Sequence, residues 1–332
     1  MNKQVEEIHG TGRPTMKDVA SKAGVALKTV SRVVNGEPGV TEATAGRVLG
    51  AIEDLGFRRN ESARLLRTGQ TATVGFIASD WTDPDHAAVY SGLEEVARSN
   101  GYLLYAGSTD RDAEREEKLA LAMCARRVDG LIVIPTPGSH DYLVSEIEAG
   151  VAAVFVLRPP ALVRADAVLP DERGGGRAAV AHLIARGHRR IGFVSGDPDS
   201  HRATELLAGY TDAMTAAGLT ADPAWTSLAA GQLPFAPVTA VLCADRAQTE
   251  AVLRALAHEH KYKHEDEHGQ PAIVGFGDLA LADLVSPPVS VLTYDSVLIG
   301  KTAGELLVRR LAGEEAPPRT VHVPVTLITH PG

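Results

Sequence analysis

The chain has 332 residues, 44% hydrophobic and 23% charged, a balance that fits soluble globular domains and excludes a membrane-embedded or low-complexity protein. That length predicts two or three domains. The net charge of -9 is unevenly spread: residues 1–70 hold 11 Lys and Arg against 8 Asp and Glu, a net of +3, and the remainder holds 22 against 34, a net of -12. A mildly basic head on an acidic body confines any polyanion contact to the head.

Residues 1–13 are polar and charged, predicting a disordered arm without the apolar segment of a secretory signal. From residue 14 the pattern turns helical. Thr15 can cap a first helix over about 16–22, with Asp18 as its capping-box partner and Val19, Ala20 and Ala23 as its apolar side. Gly24 then permits a tight turn, and Val25 offers an apolar plug for the angle between two helices. A second helix over about 26–35 lines its buried side with Val30, Val33 and Val34. Lys28, Thr29, Ser31, Arg32 and Asn35 are left on its outer and flanking surfaces, where they suit base edges and phosphates. Thr41 caps a third helix whose Val48, Leu49, Ile52 and Leu55 close a three-helix core. Taken alone, two short helices around a Gly fit any small helical bundle as readily as a DNA reader.

From Thr73 onward, short apolar runs alternate with amphipathic segments. Val74 to Ala78 precedes a helix near 86–99, Leu103 to Tyr105 a helix near 113–126, and Leu131 to Ile134 follows. This rhythm predicts a parallel sheet covered on both faces. It restarts after Asp171 with a helix near 176–186, Ile191 to Val194, a helix near 204–217, Val241 to Cys243 and Ile273 to Phe276. The spacing Gly92 to Gly101 returns as Gly209 to Gly218, so two similar lobes are expected, with a ligand cleft at the carboxyl ends of their strands.

The segments Met16-Lys17-Asp18-Val19-Ala20, Ala23-Gly24-Val25, Thr29-Val30-Ser31-Arg32-Val33-Val34-Asn35 and Ala51-Ile52-Glu53-Asp54-Leu55-Gly56-Phe57 carry a resemblance to the LacI/GalR family of bacterial transcriptional regulators. It extends through Asp129-Gly130-Leu131-Ile132, Gly187-His188-Arg189-Arg190-Ile191, Gly275-Phe276 and Pro287-Pro288, nearly the whole chain. The fold it implies is an N-terminal all-α helix-turn-helix domain plus an α/β periplasmic-binding-protein-like core of two Rossmann-like parallel-sheet lobes. The corresponding divisions are an arm at 1–13, the helix-turn-helix domain at 14–59, a hinge helix and linker at 60–71, and the core at 72–332. Within the core, the first lobe is expected at about 72–169 and 296–318 and the second at about 170–295 and 319–332. The chain should cross between lobes three times, a helix near 296–311 returning to the first and a last strand near 321–328 ending in the second.

The resemblance also implies the site. Lys28 and Thr29 would read bases, Ser31, Arg32 and Asn35 bases or phosphates, and Thr15 belongs to the same surface. Asn60, Ala63, Arg64 and Leu66 resemble the family's hinge helix, in which paired leucines at the Leu66 position wedge into a central minor groove flanked by Arg64 and Arg67. Two departures stand in the head: Ala26 replaces the usual Ser or Thr cap, and Phe57-Arg58-Arg59-Asn60 replaces Tyr-x-Pro-Asn.

In the cleft the departures are larger. Gly277 stands where sugar-responsive members place Asp, Leu206 where they place Arg, Ala244-Asp245 for Asn-Asp, and Asp83-Pro84-Asp85-His86 for Asn-Pro-Phe-Phe. Candidate effector residues are Arg202, one helical turn before Leu206, Arg158 and Arg246 at strand ends, and Ser79, Asp83, His86, Asp110, Asp245, Asp278 and Tyr294 at loop positions. The three arginines either serve an anionic effector or are surface charges. No cofactor or metal is expected, since the run from His258 through His260, His264 and His268 reads as a solvated loop. Gly174-Gly175-Gly176 reads as a flexible helix entry and not as a phosphate cradle. Cys124 and Cys243 sit in apolar runs and read as core thiols.

The expected function is therefore a sequence-specific DNA-binding regulator, a repressor, that grips a pseudo-palindromic operator as a homodimer and answers a small-molecule effector. It is expected in the cytoplasm, at the nucleoid when DNA-bound, without membrane association. The alternatives are a regulator that no longer responds to a sugar and, from another class, an α/β enzyme, against which stands the lack of a nucleophile elbow or cofactor fingerprint.

Overall fold

In this computed structural model the described residues are 14–57, 70–197, 200–226, 230–232, 237–262, 270–277, 282, 284–285 and 288–330. The chain divides at Thr71 and Ala72 into two compact units. The arm at 1–13 and Asn60, Ala63, Arg64, Leu66, His264, His268 and Asp278 lie outside the described residues.

The first unit holds α1 (Met16–Ala23), α2 (Leu27–Val34) and α3 (Glu42–Leu55). The Asp18 carboxylate accepts from both the N–H and the hydroxyl of Thr15 at 2.7 Å, closing the start of α1. The helix ends at Gly24, whose φ of +64° lies in the left-handed region that lets the chain turn directly into α2. Val19, Val30 and Val48 are fully buried, with Ala20, Ala23, Ala51 and Phe57 packed around them. One expected core member is misplaced. Leu49 is 56% exposed, because Val48, Ala51, Ile52 and Leu55 already fill the inward stripe of α3 and residue 49 falls about 60° beyond its edge at Ile52.

The second unit contains two sheets. One, in the order β10-β5-β4-β3-β1-β2, is built from β1 (Thr73–Ala78), β2 (Leu103–Ser108), β3 (Gly130–Val133), β4 (Ala152–Val156), β5 (Asp166–Pro170) and β10 (Thr320–Val323), all parallel. The other, in the order β11-β9-β8-β7-β6, contains β6 (Ile191–Val194), β7 (Ala240–Cys243), β8 (Ala272–Phe276), β9 (Val289–Tyr294) and β11 (Val325–Ile328), with β11 antiparallel to β9. The inner strands are buried throughout because helices cover both faces. The helices are α4 (Pro84–Ser99), α5 (Ala113–Ala125), α6 (Val144–Glu148), α7 (Glu172–Ala185), α8 (His201–Ala216), α9 (Arg246–Tyr262) and α10 (Ser296–Leu311).

Three expectations are corrected. The single last strand is two: Thr320–Val323 extends the first-lobe sheet beside β5, and only Val325–Ile328 belongs to the second lobe, so residues 320–323 leave the lobe assigned to 319–332. Pro324, between them, has no N–H for a ladder and divides the run. Gly174-Gly175-Gly176 is not a flexible entry. It forms the first turn of α7, where a Cβ on Gly176 would lie 2.5 Å from the Leu206 carbonyl oxygen of α8 and one on Gly175 2.6 Å from Val325 Cγ1. His258 and His260 lie in α9, which runs on to Tyr262, and not in a loop.

The repeated glycines have a shared packing role. A Cβ on Gly92 would sit 2.1 Å from the Val297 carbonyl oxygen, and one on Gly209 would sit 2.1 Å from that of Arg173. Each lobe thus crosses one helix pair, α4 with α10 and α7 with α8, at backbone contact. Gly101 and Gly218 close the echo with φ values of +76° and +68° just beyond the helix ends. Cys124 and Cys243 are both free and buried; burial pushes their thiols up to about 11 and about 12. Among the described residues no helix is long and apolar enough to cross a membrane, and no group of three His, Cys, Asp or Glu could hold a metal ion.

Candidate DNA-reading head and interlobe site

The geometry of the head follows from which face of α2 is apolar. Val30 turns into the core, while Lys28 is exposed and Thr29, Ser31, Arg32 and Asn35 are half-buried on its flanks. Asn35 Nδ2 donates to Ser31 Oγ at 3.3 Å and to Glu37 Oε1 at 3.0 Å, so the C-terminal end of the helix has an ordered polar edge. Ala26 supplies no side-chain cap, which leaves the first N–H groups of α2 free for an anion such as a phosphate. Across the bundle Lys22 Nζ meets Asp54 Oδ2 at 2.9 Å.

In the second unit the carboxyl ends of both sheets carry the candidate effector residues, and the structure separates them by what they already hold. Asp83 caps α4, accepting from the Asp85 N–H at 3.0 Å. Asp245 caps α9 in the same way, accepting from the Gln248 N–H at 2.8 Å. Asp110 pairs with Arg115 and accepts from Ser108 Oγ at 3.2 Å. His86 is buried, its Nδ1 against the Asp80 carbonyl; burial lowers its pKa against the pull of Asp83. Ser79 is buried, and its carbonyl accepts from the Arg111 N–H at 2.8 Å. These five shape the loops, each held by at least one hydrogen bond inside its own lobe.

The remaining candidates converge. The Arg202 Nε donates to Glu172 Oε1 at 3.1 Å while its guanidinium lies 4.6 Å from the centroid of Phe276. Glu172 is 1% exposed, and burial pushes its carboxyl up to about 7 against the pull of Arg202. Its second oxygen has no hydrogen-bond partner; His201 Nε2 stands at 3.7 Å, beyond reach. The Tyr294 hydroxyl donates to Asp85 Oδ2 at 3.1 Å and the Ser296 hydroxyl to Asp85 Oδ1 at 2.9 Å. Arg158, directly after β4, is half-buried and makes no hydrogen bond or ion pair with any described residue; burial and the neighbouring Arg202 cation both lower its pKa. Arg246 opens α9 with a buried Nε that lacks a partner.

Sequence reasoning missed Glu172, Asp85 and Trp81. Trp81 follows β1, is 41% exposed, and packs 5.8 Å from Phe76 and 5.9 Å from Tyr90 between ring centroids, a held aromatic face at the strand ends. Glu172 and Asp85 each adjoin a residue that was noticed, Asp171 and His86. Their partners, however, lie 30 and more than 200 residues away.

Comparison with known proteins agrees with this division. The pattern of bacterial regulatory proteins of the lacI family matches residues 15–60, and that of a periplasmic binding protein-like domain matches residues 180–330. The HTH-type transcriptional regulator CelR of Thermobifida fusca is 33% identical over 96% of this chain and 96% of its own length. A solved structure of a transcriptional regulator CelR–cellobiose complex is 30% identical, with a TM-score of 0.66 over 96% of this chain and 99% of that one. The fold alone is shared with the Lac repressor dimer bound to operator and the anti-inducer ONPF, at 23% identity and a TM-score of 0.79 over 96% of this chain and 98% of that one. The relatives are regulators, not enzymes, and this chain shares with them a lacI-type head ahead of a periplasmic-binding-protein-like body. The chain belongs to the LacI family of bacterial transcriptional regulators.

Proposed function

We propose that this regulator binds a pseudo-palindromic operator as a homodimer, acting in the cytoplasm as a repressor whose DNA affinity is set by a small molecule held between its lobes. In this scheme α2 enters the major groove, with Lys28 and Thr29 on base edges and Ser31, Arg32, Asn35 and Thr15 on bases or phosphates. Asn60, Ala63, Arg64 and Leu66 lie in the central minor groove, where paired Leu66 side chains wedge between base pairs. The observation that carries the DNA reading is α2 itself: an apolar inner face with an exposed Lys28 and a flank of Thr29, Ser31, Arg32 and Asn35.

The effector half rests on the interlobe cluster of Arg158, Glu172, Arg202, Asp85 and Tyr294, drawn from both lobes. That CelR has been solved with cellobiose supports a small-molecule ligand. A ligand contacting both lobes would favour one lobe angle over another and so couple the two sites.

The test is fluorescence anisotropy of labelled fragments from the regulator's own promoter region, at fixed salt, with and without a metabolite panel. A retained complex that weakens or tightens with one metabolite is expected; no complex with any fragment would sink the DNA reading. A second reading, a regulator blind to effectors, draws on Asp83 and Asp245 being engaged as helix caps. Unchanged affinity with every metabolite would favour it. Leu66→Ala is expected to weaken operator binding at least several-fold while binding to random DNA is kept, and equal loss of both would remove the wedge.

A further inference from the structure

The acids named below each hold a partner among the described residues, whereas two of the candidate bases, Arg158 and Arg246, hold none. Asp80 accepts from the Thr82 N–H and hydroxyl at 2.7 Å and pairs with Arg111 at 3.0 Å. Asp83 and Asp245 cap helices, Asp85 holds Tyr294 and Ser296, Asp110 holds Arg115, and Glu172 holds Arg202. Arg158 and Arg246 are both half-buried with no hydrogen bond or ion pair to any described residue, and of the two it is Arg158 that lies beside Arg202 and Glu172. The charges it feels are two cations, Arg202 and Arg111, and two acids, Glu172 and Asp197. One of those acids, Glu172, is already shared with Arg202. A guanidinium has five donors and stays charged at neutral pH, so leaving it half-desolvated among other cations is costly unless an anion arrives to take those donors.

Position adds direction. Arg158 leaves the carboxyl end of β4, and Trp81 leaves that of β1, with only β3 between them. Two inter-strand spacings put these strand ends about 10 Å apart, the reach of a small polyol with a charged group at one end. Arg202 faces the same region from the second lobe, pinned by Glu172 and Phe276.

We propose that the effector of this protein bears a carboxylate or phosphate group and that Arg158 receives it. This rests on the reading of the cleft as the effector site and names the ligand's chemical class: an anionic, sugar-sized metabolite in place of a neutral sugar. Binding would give the Arg158 guanidinium a bidentate partner across the lobes.

The experiment uses the full chain in thermal-shift and calorimetric titrations. The probes are sugar acids and sugar phosphates of three to six carbons, D-gluconate and D-glucose 6-phosphate among them, each beside its neutral parent, with cellobiose and a chloride control for ionic strength. At least one anionic probe is expected to bind more than tenfold tighter than its parent, and Arg158→Gln to lose that preference at least tenfold. A carboxylate or a phosphate preference identifies the group. Without ligand, Arg158→Gln is expected to melt no lower than the wild type, because the side chain it loses has no partner among the described residues. A neutral sugar or cellobiose binding as well as the acids, or anion binding unaltered by Arg158→Gln, overturns the anionic class and leaves the effector site standing. No binding by any probe, together with DNA affinity unchanged by all of them, overturns both. A lowered melting temperature of ligand-free Arg158→Gln also counts against the proposal, since it would mean that Arg158 is held by a partner.

Discussion

Tyr294 and Asp85 stand 209 residues apart in the chain, yet the Tyr294 hydroxyl donates to Asp85 Oδ2 at 3.1 Å, tying the last residue of β9 in one lobe to the first turn of α4 in the other. Ser296 donates to the other oxygen at 2.9 Å, so one carboxylate holds both sides of a crossover. Tyr294→Phe removes one hydrogen bond and is expected to cost about 1 kcal/mol, whereas Asp85→Ala leaves two hydroxyls without their acceptor and is expected to cost about 1–3 kcal/mol. Urea unfolding of the two variants checks the order. Equal loss would mean that the Ser296 arm contributes nothing.

Helix crossings at glycine make a second prediction. Gly92→Ala and Gly209→Ala each place a methyl 2.1 Å from a carbonyl oxygen on the facing helix, and relief requires the helices to move apart. Each is expected to destabilise the body by about 1–3 kcal/mol or more. Gly46→Ala, in α3 with nothing within 4 Å of the new methyl, is expected to stabilise the head by about 0.5–1 kcal/mol. Denaturant midpoints of the two units, followed separately, distinguish these outcomes.

Glu172 gives the stability a pH dependence of unusual sign. Its folded pKa is raised by burial to about 7, above the ordinary glutamate value, so the folded state binds a proton that the unfolded chain releases. The stabilisation is fully present below about pH 4 and is lost as pH rises through about 7. A decline on the order of 1–3 kcal/mol between pH 5 and pH 8 is expected, and Glu172→Gln should flatten it. A slope that survives the substitution would assign it to another group.

Asp166 behaves in the opposite way. Burial would raise its carboxyl, but Arg310 donates to it twice, at 2.7 and 3.0 Å, and the Arg319 N–H once at 2.8 Å, holding it below the usual carboxylate range. That contribution is present above about pH 4 and is lost as pH falls through the lowered value. Arg310→Met strands a carboxylate that is 2% exposed and is expected to cost about 3–5 kcal/mol at neutral pH. The gap from the wild type should narrow in acid, which unfolding curves at pH 7 and pH 3 would measure.

How far the fold could be read from sequence depended on whether its cause was local. Thr15, Gly24 and Thr41 announced the head because caps and left-handed turns are written within four residues. Gly92 and Gly209 were visible as a repeated spacing, and their reason, two backbones in contact, appeared only with the partner helix. The strands β5 and β9 escaped because Asp166 in the one and Ser290 and Thr293 in the other break the apolar runs by which the remaining strands were found. In the cleft, Asp83 and Asp245 were read from sequence as effector contacts, and the structure shows each of them capping the next helix. A carboxylate after a strand can face a ligand or cap the next helix, and sequence records its position but not its aim. Arg202 was found by helical spacing, whereas its partner Glu172 depends on a contact 30 residues away.

The crossings between lobes fix what kind of message the body can send. Pro170 ends β5 and Glu172 begins α7; Tyr294 ends β9 and Ser296 begins α10; Val323 ends β10 and Val325 begins β11. Each passage is one residue long: Asp171, Asp295 and Pro324. Both aspartates cap the helices they introduce, and the Asp171 N–H donates to the Val323 carbonyl at 2.8 Å, lashing the first passage to the third. Three tethers of that length remove sliding and separation from the available degrees of freedom and leave rotation about a common pivot. In the scheme proposed above, occupancy of the cleft would therefore be read out as an angle, set by a few backbone dihedrals at residues 171, 295 and 324.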